Sequence, residues 1–204
     1  AVTVSPINDT PTITAPATAT INEDTNLIFS AGNGNQISFA DVDAASGTVT
    51  ATLSVSHGTL TLGQTTGLSF ATGDGTSDAA MTFSGTLANV NAAIASLTYR
   101  GTADYHGSDT LSLTINDGGN TGTDPGLTGT ATNEQASTTV AITVSPVNDA
   151  PTISTPVSVT TPEDTQVTVN LTTNASDVDG GTGTGDAGIA SYTVQSLPSA
   201  SAGI

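Results

Sequence analysis

The chain has 204 residues, with 18 acidic side chains against a single base, Arg100, and a formal net charge of −17. It has no cysteine, so neither a disulfide nor a thiolate metal site can form. A chain this acidic is repelled by nucleic acid and by anionic membranes, and no apolar run approaches the ~18 residues that a membrane-spanning helix needs, so neither nucleic-acid binding nor membrane insertion is expected.

The first 25 residues, AVTVSPINDTPTITAPATATINEDT, recur as residues 141–165, AITVSPVNDAPTISTPVSVTTPEDT, with 15 of 25 positions identical. Asp41-Val42-Asp43 recurs as Asp177-Val178-Asp179, now 136 positions on rather than 140. The repeating unit is therefore a domain of about 140 residues whose copies differ in one loop length, large enough to bury a core. The expected layout is the end of a preceding repeat and a linker over 1–8, one complete domain over 9–147, and the beginning of the next over 148–204. The sequence reads as a piece of a longer array.

Within the complete unit, Val49, Leu53 and Val55 alternate with polar residues, as in a half-buried strand. His57-Gly58, set between two alternating runs in SHGTLTL, predicts a hairpin turn. Residues 86–97, TLANVNAAIASL, space Leu87, Val90, Ile94 and Leu97 at helical intervals behind a candidate N-cap, Thr86. Asp109–Asp117, DTLSLTIND, puts Leu111, Leu113 and Ile115 on one face and Thr110, Ser112, Thr114 and Asn116 on the other. Residues 118–138 read as a long polar loop, and Val140, Ile142 and Val144 as the closing strand. Val157 with Val159, and Val167, Val169 and Leu171, predict two strands of the next copy. The expected fold is all-β: tandem immunoglobulin-like β-sandwiches of two antiparallel sheets, with one short helix in the complete repeat.

Following the chain up and down places the acids. Asp109 to Asp117 spans roughly 26 Å at ~3.3 Å per residue, so the two mark opposite ends of the sandwich. One end gathers Asn8, Asp9, Asp41, Asp43 and Asp117. The other gathers Glu23, Asp24, Asp109, Asn148 and Asp149, with Asp104 nearby and Asp177 and Asp179 added by the second unit. Glu163 and Asp164 repeat Glu23 and Asp24. Close carboxylates repel, burying them unpaired is costly, and one arginine cannot neutralise them. An inorganic cation can. Carboxylate and amide oxygens without His or Cys are hard ligands, which favours Ca²⁺ over zinc or copper; magnesium demands stricter geometry. A solvated acidic surface is the alternative. It predicts acids scattered along outward strand faces, whereas those faces carry Thr and Ser.

These phrases carry a family resemblance. VSPVNDAPT (144–152), PEDT (162–165), DVD (41–43 and 177–179) and NDGG (116–119) resemble, in order, the linker, glutamate, Asp-x-Asp and strand-end motifs of cadherins. The stretch GTLANVNAAIASLTYRGTADYHGSDTLSLTINDGG is similar to the cadherin-like repeats of large bacterial surface adhesins, relatives in pattern of chondroitin-sulfate-proteoglycan repeats. The resemblance implies calcium held at inter-domain linkers by Glu23, Asp109, Asn148, Asp149, Asp177 and Asp179 at one junction. At the preceding junction it implies Asn8, Asp9, Asp41, Asp43 and Asp117. Pro6 and Pro146 stand where the family has a further acid, which implies one or two ions per junction. The implied role is a calcium-rigidified extension module of an extracellular, secreted or surface-attached bacterial protein. Its partners would be neighbouring repeats of the same chain, with surface ligands bound by other domains. A subunit of a self-assembling fibre or sheath, and a direct sugar- or protein-binding adhesive domain, are the alternatives.

Other motifs point nowhere further. Residues 180–186, GGTGTGD, are a single copy of a calcium-loop-like pattern and read as a loop; Asp74 and Asp78 in GDGTSD read as a glycine turn. His57 and His106 form no defensible Ser-His-Asp spacing, so an enzyme is not expected.

Overall fold

The strongest alternating stretch of the sequence becomes the central strand of the first unit. A computed structural model describes residues 1–4, 7–44, 46–119, 134–153, 160–162, 165–168 and 175–179. The chain divides into a unit of residues 1–145 and one of residues 146–204. In the first, a strand over Gly107–Asn116 buries Leu111, Leu113 and Ile115 completely and turns Thr110 to solvent.

In chain order, the first unit has β1 (Thr12–Thr14), β2 (Thr18–Asn22), β3 (Asn26–Phe29), a 3-10 turn (Ala31–Asn33) and β4 (Ser38–Ala40). Then come β5 (Thr48–Ser54), β6 (Gly58–Thr61), β7 (Ser69–Thr72), β8 (Ala80–Thr86), α1 (Leu87–Ile94), β9 (Leu97–Gly101), β10 (Gly107–Asn116) and β11 (Gln135–Ser145). One sheet has the order β2-β11-β10-β5-β8-β7, a second β3-β9-β6, and β1 pairs with β4 alone. The fold is an all-β sandwich. Val49, Ala51 and Leu53 of β5, Met81 and Phe83 of β8 and Val140, Ile142 and Val144 of β11 share one core with Phe29, Leu60, Leu97 and Tyr99 of the smaller sheet.

Three local expectations are refined. The sheets are not wholly antiparallel: β2 runs parallel to β11, from Thr18↔Ala141 to Asn22↔Ser145. β1 pairs with β4 instead, and Pro16, which has no N–H for a ladder, lies where the chain passes from one pairing to the other. His57-Gly58 closes no hairpin, because β5 and β6 belong to different sheets. The glycine is needed for close approach: a Cβ at Gly58 would lie 2.4 Å from the Arg100 carbonyl and 2.6 Å from the Tyr99 ring. The helix stops at Ile94, and Leu97 opens β9. Thr86 caps the helix, its hydroxyl accepting from Asn89 N–H at 3.3 Å. The Asn91 side chain ties α1 to β4 by accepting from Phe39 N–H at 2.9 Å and donating to Phe39 carbonyl at 2.8 Å.

In the second unit, β12 (Thr152–Ile153) pairs with β13 (Ala175–Ser176) in the register Thr152↔Ser176. The first unit has Thr12↔Ala40 at the corresponding positions. The Thr12 hydroxyl donates to the Ala40 carbonyl at 3.2 Å, and that of Thr152 to the Ser176 carbonyl at 3.4 Å. The four-residue length difference between the copies therefore falls between these two strands. Val157, Val159, Val169, Leu171, Glu163, Asp164 and the 180–186 loop lie outside the described residues. No helix among the described residues is long and apolar enough to cross a membrane.

Leu113 is wholly buried at the middle of β10, between β5 and β11. Leu113→Ala should cost about 2–5 kcal/mol, and the outward Thr110→Ala within about 0.5 kcal/mol. Urea denaturation reads both; similar losses would mean that the two faces are not distinguished.

Candidate metal centre

At one end of the first unit, a short turn arranges oxygen atoms around a buried carboxylate. Asp41 Oδ1 accepts from the backbone N–H of Asp43 at 2.7 Å and of Ala44 at 2.9 Å, which curls Asp41-Val42-Asp43 into a loop. Asp43 Oδ2 accepts from Asp9 N–H at 2.6 Å. Asn8 Nδ2 donates to Asp117 Oδ2 at 3.1 Å, across 109 positions of sequence. Asp117 Oδ1 takes the N–H of Gly119 at 3.0 Å. Gly118 and Gly119 both have φ of +68°, a conformation that costs glycine least, so the NDGG phrase folds back on its own carboxylate. The structure thus brings together Asn8, Asp9, Asp41, Asp43 and Asp117. A groove of about 340 Å³, lined by Asp9, Thr10, Thr12, Ala40, Asp41 and Val42, opens beside them.

Asn8 is 4 % exposed and Asp117 1 %. Burial pushes the Asp117 carboxyl above its usual range, and the neighbouring Asp41 charge pushes it further; the donors Gly119 and Asn8 only partly offset this. Asn8 Oδ1, buried here, has no hydrogen-bond partner, and the Asp41 carboxylate, close enough to Asp117 to share a hydrogen bond, meets no donor at Oδ2 unless one of the two acids holds a proton. A buried acceptor left unmatched costs about 1–3 kcal/mol. An amide oxygen and carboxylate oxygens with unused lone pairs, grouped without sulfur or imidazole, fit a hard cation of flexible coordination, and calcium fits better than zinc or magnesium. Asn8, Asp41 and Asp117 would hold it, with Asp9 and Asp43 beside them.

The second unit repeats the turn. Asp149 N–H donates to Asp179 Oδ2 at 2.5 Å, Asp179 N–H to Asp177 Oδ1 at 3.3 Å, and Asn148 Nδ2 to the Asp149 carbonyl at 2.9 Å. Asp179 is buried, whereas Asn148 is exposed.

At the opposite end of the first unit the acids are handled differently. Glu23 is buried, its N–H bonded to the Ser145 carbonyl at 2.9 Å, and its Oε2 lies 3.7 Å from His106 Nδ1. Asp24 and Asp104, both with φ of +59°, are exposed, and Asp104 N–H donates to Asp24 Oδ1 at 3.3 Å. Asp109 receives four donors: Ser56 N–H at 3.0 Å and Thr110 N–H at 2.7 Å on Oδ1, His57 N–H at 2.9 Å and Tyr99 O–H at 3.0 Å on Oδ2. Burial alone would raise its pKa, but these donors outweigh burial and hold it below the usual 3.8. Burial pushes the Tyr99 hydroxyl well above its ordinary value, with Asp109 adding to the effect. Sequence reasoning missed this donor set, because it comes from backbone groups of a crossing segment and from a tyrosine on another strand. The only advance signal was the tight SHG phrase. His57 also stacks on Tyr105, with ring centroids 4.3 Å apart and planes 5° from parallel.

The comparisons with known proteins come out elsewhere than the motifs do. A family model described as the protein GAMETE EXPRESSED 2 (GEX2) domain matches residues 24–124, which take in β3 through β10. No curated protein matches the chain. The similarity corrects the expected cadherin-like bacterial adhesin repeat: the family that matches is named for expression in gametes. The extension-module role in a bacterial surface protein, its fibre-forming and adhesive alternatives, and the bacterial origin fall with that expectation. The physical reason lies in the motifs. Each is a few residues of acid, asparagine, proline or glycine that close an oxygen-lined turn, and such a turn can serve any β-sandwich.

Asp109→Asn should cost about 2–3 kcal/mol at neutral pH, because an amide nitrogen then faces a donor. A depressed folded-state pKa contributes stability above the unfolded value, near 3.8, that is lost as pH falls through the folded value. Denaturation midpoints should therefore drop on acidification below about pH 4 more steeply in the parent than in the variant. Equal acid slopes would remove Asp109 from this role.

Proposed function

We propose that this chain is a non-catalytic β-sandwich module, working outside the cell, that binds calcium at the acid-lined end of its first unit. The observation that carries the reading is the partnerless buried oxygen of Asn8 beside two carboxylates, Asp41 and the buried Asp117, that lie within hydrogen-bond reach of each other. Calcium would supply the positive charge that the chain's own residues lack there. Asn8 and Asp9 lie on the segment entering the sandwich, Asp41 and Asp43 on the turn after β4, and Asp117 after β10. A cation shared among them fastens three separate chain segments at one end of the core.

The donor set supports a structural ion rather than a reactive one: carboxylates and an amide oxygen hold a cation without presenting a nucleophile and its base. Exposure of Asp9 and partial exposure of Asp41 and Asp43 suit the weaker range of calcium sites, roughly 10⁻⁴–10⁻³ M, which is filled outside cells and empty inside. The matched family's name supports a gamete-expressed protein as the setting. The turn repeated in the second unit supports adjoining copies of the same module as the nearest partners.

Melting curves in chelator, calcium and magnesium test the reading. Calcium at a hundredfold excess over its dissociation constant should stabilise by about 2.7 kcal/mol, and magnesium by less. Asp41→Asn separates binding from folding. Asn keeps the Oδ1 that accepts from Asp43 and Ala44, and it turns a donor toward Asp117 in place of a second negative charge. The variant should be at least as stable as the parent in chelator and should lose most of the calcium response. Coincident curves for the parent in chelator and in calcium would refute the proposal.

A further inference from the structure

The only lysine or arginine of the chain, Arg100, occupies a site of its own. Along β9 the buried Leu97 and Tyr99 alternate with Thr98 and Arg100, so the latter two face outward. Ladder pairing sets Asn26 of β3 and Thr59 of β6 directly across from Arg100, and Thr61 of β6 across from Thr98. With Ser77 these five residues line a groove of about 340 Å³. None of the lining side chains is acidic, in a chain with 18 acids. Among the described residues Arg100 makes no ion pair, the close carboxylate contacts being those of His57 and His106.

The lining is rich in donors. The guanidinium offers a rigid fork that matches planar oxyanions, and the Thr59, Thr61 and Ser77 hydroxyls turn freely to donate. Thr61 Oγ1 already accepts from Ser77 N–H at 3.0 Å, which leaves its own hydrogen available to a ligand. We infer that this groove is a subsite for a single oxyanion group, a carboxylate or sulfate, held by the Arg100 fork and the surrounding hydroxyls. The net charge of −17 does not forbid this. No acid lines the groove, and ionic screening acts over about 8 Å at physiological salt, so the competing charge comes chiefly from Asp24 and Asp104, which lie just before β3 and just after β9 at the same end of that pair, and only weakly from the rest of the chain. The same net charge limits the ligand to one small anionic group and excludes a polyanion.

Amide and arginine side-chain NMR, titrated with sodium sulfate and with sodium acetate at ionic strength held constant by sodium chloride, tests the site in chelator and in calcium. Saturable shifts are expected at the Arg100 side chain and at Thr59, Thr61 and Thr98. Arg100→Gln should weaken binding about tenfold or more, Arg100→Lys less, and Thr59→Val by a smaller factor. Unsaturating shifts matched by chloride alone, or an Arg100→Gln titration identical to the parent, would overturn the inference. Sedimentation over a range of protein concentrations identifies the source. A monomer throughout assigns a free anion, as expected; self-association abolished by Arg100→Gln assigns the carboxylate to a second copy of this chain.

Discussion

A buried carboxylate at each end of one strand is the constraint around which the first unit is built. β10 crosses the larger sheet with Asp109 near its start and Asp117 just past its end, 4 % and 1 % exposed. A charge cannot enter a protein interior without donors or a counter-charge. At Asp109 the protein supplies everything: three backbone N–H groups and a tyrosine hydroxyl meet both oxygens. That arrangement joins β10, β9 and the β5–β6 crossing at one point, so the carboxylate ties the two sheets together. At Asp117 the supply falls short. One glycine N–H and one asparagine amide meet it, a second acid, Asp41, lies within hydrogen-bond reach, and the Asn8 oxygen beside them faces no donor. One strand thus ends in a closed, self-sufficient site and in an open one whose acids the chain's own donors do not fully match.

The second copy shows which part of the open site the local sequence encodes. The bond from Asp149 N–H to Asp179, the bond from Asp179 N–H to Asp177 and the Thr152↔Ser176 pairing reproduce those of Asp9, Asp43, Asp41 and Thr12. These contacts need only the Asn-Asp-x-Pro phrase, the following short strand and the Asp-x-Asp turn. Burial of the asparagine does not come with them. Asn8 is buried while its counterpart Asn148 is exposed, and Asn8 is the one that donates to the carboxylate following β10 of its own unit.

Much of this was legible in the sequence, and the failures have physical causes. Period-two alternation gave away β5, β10 and β11, because one face of each strand meets the core. Thr86 and the spacing of Leu87, Val90 and Ile94 revealed the helix, but Leu97 continues that spacing by coincidence and belongs to a strand, since a buried leucine suits either element. His57-Gly58 looked like a turn because glycine marks turns; here it marks a place where two backbones nearly touch. The acids of the open site could be gathered by tracing strands up and down, since each lies at a strand end. The donors to Asp109 could not, because a backbone N–H leaves no mark in a sequence. The similarity to a known family was the least legible feature. Carboxylate-lined turns are written by chemistry in a few residues, whereas the GAMETE EXPRESSED 2 similarity extends over residues 24–124.

The placement of charge also explains how so acidic a chain keeps its sheets intact. Like charges across neighbouring strands destabilise a ladder, whereas hydroxyl pairs stabilise it. The cross-strand contacts on the larger sheet are of the second kind: Thr52 meets Thr82 at 3.1 Å and Thr114 meets Ser137 at 3.1 Å. With the strand faces left neutral, most of the repulsion is concentrated at turns, where a bound ion can cancel it and where its relief leaves the ladders untouched. The smaller sheet follows the same rule, its outward face carrying Asn26, Thr59, Thr61 and Thr98 around the one base. Arg100 therefore stands among neutral side chains on its own face, toward the end of β9, with the described strand-end acids set apart from that face.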